Sequence, residues 1–365
     1  MRVLLIFFFT LAGYLFSNAQ GIGTGMWRLH LPFKTLIGLE SNSTHIYAWA
    51  NSGFYRVDRS SGEIEILSKT QGFHGTNVAN IRHHEDLNLT FIAYSDGFID
   101  LIRNNSILGI SDIERANIQG EKKIYDFHFE NNLIYISCSF GIVVFDVNRM
   151  ETSASFLNLG FGEILDASVS NNQLFLISEQ GLFSGSLNQN LNDPSNWQLR
   201  QSGDFKGIES SQNQVYVNDS ATLFLWNNST LQSFSSFKPI KWLRNKQIGL
   251  TVVNSDGAGQ ISGTQVNILN PDQSINAAVF ININESWLAT QSIGLYKNIN
   301  GNVDFYTPQG PYSNTAGKIV DRNGEIWIGG GSITSTGGAT FSLKGYYIFK
   351  DNQWINSLDQ NYPYN

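Results

Sequence analysis

Apolar and polar residues alternate with period two along most of this chain, the spacing of a half-buried β-strand. Ile124-Tyr125-Asp126-Phe127-His128-Phe129 is one such window, and no segment carries the period of an amphipathic helix. The strands recur in pairs about a glycine. Ile46 to Ala50 leads to Gly53, Phe91 to Tyr94 leads to Gly97, the run from Ile134 turns at Gly141, and the run from Leu174 turns at Gly181. Weaker copies begin at Val215 and near Leu250, and clear ones return at Trp287, with a turn at Gly294, and at Ile326. The steps between the first four glycines are 44, 44 and 40 residues, and Ile46 to Ile326 averages 40 per step.

A period of about 40 residues holding four short strands is the size of a β-propeller blade. One such sheet cannot bury both faces, whereas blades stacked around an axis build a continuous apolar core. The pattern therefore predicts an all-β chain, a β-propeller of four-stranded antiparallel sheets. An array of β-sandwiches would not repeat with one period throughout. Eight copies of the second-strand pattern allow eight blades, or seven blades plus an extra unit; seven is the expectation. The segment Trp27-Arg28-Leu29-His30-Leu31 is a candidate strand for closing the ring against the C-terminus. Trp49, Tyr94, Tyr135 and Phe175, with Trp287 and Trp327, are expected to pack between neighbouring blades. Asn-rich pairs such as Asn104-Asn105, Asn131-Asn132, Asn171-Asn172 and Asn227-Asn228 suit the tight turns.

The amino terminus reads differently. Arg2, the apolar run Val3 to Phe16 and the small residues Ser17-Asn18-Ala19 form a secretory signal peptide over residues 1–19, leaving 20–365 as a single propeller domain. No later run is long enough for a membrane-spanning helix. Charged residues are 15% of the chain, against roughly 25% for an average soluble domain, while 41% apolar and 13% aromatic residues exclude disorder. The net charge of -7 gives no basic footprint for nucleic acid.

Candidate chemistry is sparse. Cys138 is the single cysteine, so no disulfide forms within the chain, and its apolar strand predicts an inert buried thiol. His83-His84-Glu85-Asp86 is the densest polar cluster; its imidazoles point opposite ways, and a solvated loop is expected there. Ser95-Asp96-Gly97 and Ser255-Asp256-Gly257 read as Asp-stabilised turns. The glycine-rich run Gly329 to Gly338 lacks the lysine and helix of a phosphate loop and reads as a mobile loop. No catalytic residue, metal ligand or cofactor is expected, the chain is read as a non-enzyme, and no binding residue is singled out.

Asp321-Arg322-Asn323-Gly324-Glu325-Ile326-Trp327-Ile328-Gly329 resembles the repeat of two-component-regulator propellers, and Trp287 to Leu295 is a second copy. Four further stretches resemble the first propeller of the PorZ family of type IX secretion components. They are Ser68-Lys69-Thr70-Gln71-Gly72-Phe73, Ala93 to Ile102, and Ile110-Ser111-Asp112-Ile113 followed by Ser137 to Val144. The resemblance implies a non-enzymatic scaffold at the bacterial cell surface. Its partners would be a sortase and outer-membrane barrel proteins, and its role would be in cargo processing and attachment to anionic lipopolysaccharide. That family continues with a second propeller and a sorting domain, so the chain is expected to be a fragment or a reduced relative. The alternative is a glycan-binding or sensory propeller. Acids and aromatics converging at the axis would favour that alternative; a featureless channel with a broad partner face would favour the scaffold.

Overall fold

Each hairpin dictated by the period-two pattern pairs with the next, giving four-stranded antiparallel sheets whose strands run in chain order. The computed structural model describes residues 28–357, apart from 228, 237–238, 247, 255–256, 263–264, 270–273, 314–315, 335 and 341–344. The signal segment, Trp27 and Ser255-Asp256 therefore lie outside the described residues. Residues 28–30, the described end of an amino-terminal unit that closes at His30, hold no strand, and neither does Leu31. The expected closing strand is corrected on this point, since among the described residues each of the first seven sheets is built from four consecutive strands and the eighth from four strands within 318–356.

The sheets span residues 38–67, 78–110, 124–157, 164–202, 207–236, 240–269, 275–305 and 318–356. The first strand of each of the first seven lies innermost: Gly38–Ser41, Val78–His84, Ile124–Glu130, Ile164–Ser170, Gly207–Ser211, Ile240–Lys246 and Ile275–Phe280. Each packs on the next, and the inner strand of sheet seven packs on that of sheet one, so seven blades close the ring. The seam between sheets seven and one joins Leu36, Leu39, Ile46 and Tyr55 to Ala277, Val279, Trp287 and Leu295. Backbone bonds reinforce it, from Leu36 N to Thr290 O at 3.0 Å and from Gly294 N to Lys34 O at 2.8 Å.

Period two explains the seams. On second strands, Ile46, Ala48 and Ala50 face sheet seven while Tyr47 and Trp49 face sheet two. Ile134, Ile136 and Cys138 face sheet two, and Tyr135 faces sheet four. Trp49, Tyr135, Phe175 and Trp287 thus pack toward the following blade. Tyr94 packs toward the preceding one, so it does not share their register.

Sheet eight stands apart from the ring. Its first strand, Lys318–Arg322, is exposed throughout, with Ile319 at 64% and Val320 at 46% exposure. Trp327 is only half-buried and stacks on Tyr346 within its own sheet, so the expected inter-blade packing of this residue is corrected. Locally the sheet is nonetheless a blade. Trp287 Nε1 donates to Glu285 at 2.9 Å and Trp327 Nε1 to Glu325 at 3.1 Å, and each glutamate pairs with a lysine from a later strand, Lys297 or Lys350. Sheet eight repeats the seventh blade's interactions without a neighbour at its first strand.

Two turn features bear on stability. Gly141 and Gly181 open third strands at φ 141°, and an added Cβ would sit 2.2 Å from the carbonyl oxygens of Phe156 and Gln201. Asn104-Asn105 and Asn171-Asn172 hold positive φ at both positions, as a tight hairpin turn requires. The glycine-rich run is not a bare loop, because Ser332–Ile333 pairs with Ala339–Thr340.

Candidate functional site in the axial channel

The inner strands share one irregularity. In sheets two, three, four, six and seven the second residue drops out of register with its neighbour strand, an extra residue at Ala79, Tyr125, Leu165, Lys241 and Asn276. Such bulges bend a strand and re-aim the side chains that follow. Those side chains include Asn80, Arg82, Asp126, Asp166, Trp242 and Arg244, which together with Glu40, Glu209 and Lys246 carry the polar chemistry of the axis.

They form an ion network that spans the lumen. Arg82 reaches Glu209 at 2.8 Å, on a blade three sheets away, and lies 3.6 Å from Asp126. Arg244 grips both Asp126 oxygens at 3.1 Å and donates to Asn80 Oδ1 at 3.3 Å. Lys246 pairs with Glu40 of sheet one and lies 3.1 Å from Glu85. Because the bonds of Arg82 to Glu209, Arg244 to Asp126 and Asn80, and Lys246 to Glu40 link sheets that are not neighbours, they brace the ring across its axis. Arg82, Glu209 and Arg244 are buried, so each charge depends on its partners for compensation.

Burial dominates the titration of this cluster. Desolvation raises the Asp126 carboxyl against the pull of Arg82, and raises Asp166 well above the usual range with Asp126 and Glu209 adding to the shift. Glu209 is pushed up to about 7, again by desolvation and against Arg82. His128 moves the other way, down to about 3, through burial and then the Arg82 charge. Its Nε2 accepts the Val169 backbone N–H at 3.0 Å, which requires the neutral ring.

Two cavities meet at the network. One of about 480 Å³ lies where inner strands end, lined by Glu40, Arg82, His83, Glu85, Asn245 and Lys246 among others. The other, about 220 Å³, lies where inner strands begin, lined by Asn80, Asp126, Asp166, Asn218, Trp242 and Arg244 together with Trp49. Trp242 stands at its wall, 4.4 Å from the Arg244 guanidinium and with its ring centre 5.9 Å from that of Trp49.

His83 and His84 are placed differently from the expected solvated loop. They end an inner strand and are both buried, because their neighbours cover them. His83 meets Thr90 at 3.0 Å, and His84 meets the Asn131 carbonyl at 2.8 Å beside Phe129. They do diverge as expected. Burial lowers His83 to about 4. Cys138 is buried, its thiol pushed up by desolvation. Asp96 does hold its turn, accepting the Phe98 N–H at 3.1 Å.

The sequence reading missed the axial cluster. Single charged residues inside apolar strands, such as Arg82, Asp126 and Glu209, were its only signal. It also missed a surface group, His74, Asp96 and Glu114, whose ligand-type atoms lie within 4.8 Å of one another. His74 bonds Asp96 at 2.8 Å and stacks on Phe98 with ring centres 3.9 Å apart, an arrangement that clamps the turn.

Comparison with known proteins agrees with this architecture. Residues 46–198 match the family model of the PorZ N-terminal β-propeller domain of type IX secretion. No curated protein matches the sequence. Among solved structures, PorZ from Porphyromonas gingivalis, described as an essential bacterial surface component of the type-IX secretion system, superimposes with a TM-score of 0.75 at 18% identity. The match covers 91% of this chain and 46% of that one, so the chain spans about half the length of PorZ. The extracellular domain of a B. thetaiotaomicron protein assigned to the hybrid two component systems matches with a TM-score of 0.56 at 13% identity, over 93% of this chain and 48% of that one. A chain of the mitotic checkpoint complex matches with a TM-score of 0.56 at 12% identity, over 78% and 98%. At these identities the structural likenesses establish the fold. No helix among the described residues is long and apolar enough to cross a membrane. The ring is a β-propeller similar in fold to that of PorZ, and its residues 46–198 match the model of the PorZ N-terminal propeller domain.

Proposed function

We propose that this propeller is a non-enzymatic scaffold of type IX secretion, exported by cleavage of residues 1–19 and held at the bacterial cell surface. There it would serve cargo processing and attachment to anionic lipopolysaccharide, with a sortase and outer-membrane barrel proteins as partners. The observation that carries this reading is the match of residues 46–198 to the PorZ propeller domain. The ring supports it physically, because cross-braced blades present their connecting loops on fixed faces. Deleting the gene in its source bacterium tests it: secreted cargo should accumulate with its sorting segment uncleaved and leave the surface. Normal cargo maturation in the deletion strain contradicts the reading.

A second reading, a glycan-binding or sensory propeller, is favoured by one feature. The channel is not featureless: Asp126, Asp166 and Glu209 converge at its axis, with Trp49 and Trp242 at the wall of one cavity. Equilibrium dialysis of the purified protein against labelled neutral oligosaccharides separates the two readings, since only the second requires the isolated propeller to bind a glycan other than lipopolysaccharide.

A further inference from the structure

The smaller axial cavity collects polar atoms that have no protein partner among the described residues. Arg244 and Asn218 are 3% and 2% exposed, yet Arg244 Nε and Asn218 Oδ1 make no hydrogen bond. Trp242 Nε1, also buried, makes none. All three residues line the one cavity. Leaving a buried polar atom unpaired is costly, so the site is built for something that supplies the missing bonds. The other groups of Arg244 are committed, its terminal nitrogens to Asp126 and Asn80. The unmatched pair of donors lies on one stack, because the guanidinium sits 4.4 Å from the Trp242 ring.

Charge narrows the ligand. Asp126 and Glu209 each have an arginine within 4 Å. Asp166 lines the same cavity, is partly buried, and has no ion pair among the described residues; it accepts the Ala167 N–H at 2.8 Å and the Ile208 N–H at 2.9 Å. Lys206 and Lys241 also line the cavity, but the ammonium of Lys206 bonds Asp204, and that of Lys241 bonds the Ser274 hydroxyl and the Ile275 carbonyl. The cavity therefore presents two N–H donors beside an arginine charge, and a carboxyl beside a free amide oxygen. A neutral sugar would satisfy the hydrogen bonds but would leave Asp166, which burial holds toward its protonated form, without a cation to draw it into the charged one. An anion would satisfy only the donors.

We propose that this cavity binds a small zwitterion of the α-amino-acid class, its carboxylate on Trp242 Nε1 and Arg244 Nε and its ammonium on Asn218 Oδ1 and Asp166. A volume of about 220 Å³ accommodates a molecule of that size. Trp49 and Trp242 provide the apolar wall for its side chain. Occupancy would add a link between sheets four, five and six at the axis. The proposal stands apart from the scaffold role, which does not require the channel to be filled.

The test is calorimetric titration of the purified protein with individual L-amino acids, and with D-glucose and D-galactose as neutral polyols. At least one amino acid should bind and neither hexose should. Asp166→Asn and Trp242→Phe keep the shape while removing the charge or the donor, and each should weaken that binding by about tenfold or more. Melting curves of both variants establish that they fold. Binding by no amino acid, binding of a hexose instead, or affinity unchanged in both folded variants overturns the proposal. Cargo maturation in the deletion strain is read separately, so a failure here is distinguishable from a failure of the scaffold reading.

Discussion

Leu36 donates its backbone N–H to the carbonyl of Thr290, 3.0 Å away, and so ties the first blade to the seventh. Asn276 Nδ2 returns the link by donating to Leu36 O at 2.7 Å, and Thr35 Oγ1 donates to Gln291 O at 2.8 Å. No strand is shared across this seam, so closure rests on these bonds and on the apolar contacts beneath them. The seam is where ring stability should be most sensitive.

Trp287 fills that seam at 1% exposure, whereas Trp327 occupies the same local motif, half-buried, beside the exposed first strand of the eighth sheet. Trp287→Ala should cost about 3–5 kcal/mol, the range for a large aromatic removed from a packed core. Trp327→Ala should cost about 1 kcal/mol or less in the main transition. Thermal and denaturant melting of the two variants checks the ordering.

Arg82 is buried between Glu209 and Asp126. Arg82→Met should destabilise by about 3–5 kcal/mol, because it leaves buried carboxylates without compensation. Adding Glu209→Gln to that variant should recover part of the loss. A double-mutant cycle in denaturant unfolding measures the recovery.

Acid should weaken the ring through His128. Its folded value of about 3 lies below the unfolded 6.5, so the neutral ring contributes stability in full above 6.5 that falls away as pH drops toward 3. At pH 5 the loss from this group alone is about 2 kcal/mol. Glu209 acts oppositely: raised to about 7 from 4.5, it favours the folded state at the acid end and loses that contribution as pH rises from 4.5 to 7. His128→Gln, whose amide oxygen can accept the Val169 N–H, should therefore melt with less acid sensitivity than the parent between pH 7 and 5. Equal slopes for both proteins would refute the assignment.

Gly141 and Gly181 should resist substitution. At φ 141° an alanine is strained, and its Cβ would meet a carbonyl oxygen at 2.2 Å. Gly141→Ala should cost about 2 kcal/mol or more. Gly120→Ala should cost less, because an added Cβ there meets nothing within 4 Å although its φ is also positive. Melting temperatures of the two variants make the comparison.

The repeat was legible because burial on two faces writes itself as period two, and a blade's four strands fix the step near 40. Trp49, Tyr135, Phe175 and Trp287 could be placed at seams for that reason. Tyr94 and Trp327 show where pattern fails. A one-residue offset turns Tyr94 to the opposite seam, and Trp327 has a blade's local sequence on a sheet whose first strand is exposed. The axial cluster was invisible for a different reason. Arg82, Glu209 and Arg244 come from three blades, and inner-strand bulges re-aim the residues that follow; a bulge leaves no mark in a hydrophobic pattern.

Closure by seven blades, with the eighth sheet outside, is the central claim. The direct measurement is thiol crosslinking of Thr35→Cys with Gln291→Cys, two exposed positions joined across the seam by the 2.8 Å bond. Cys138 is buried and needs no replacement for surface chemistry. Mild oxidation or a short bifunctional thiol reagent should link the pair within the monomer in high yield, with the melting curve shifted upward by the added tether. Were the eighth sheet inserted between blades seven and one, the two positions would stand about 10 Å further apart, and neither treatment would join them.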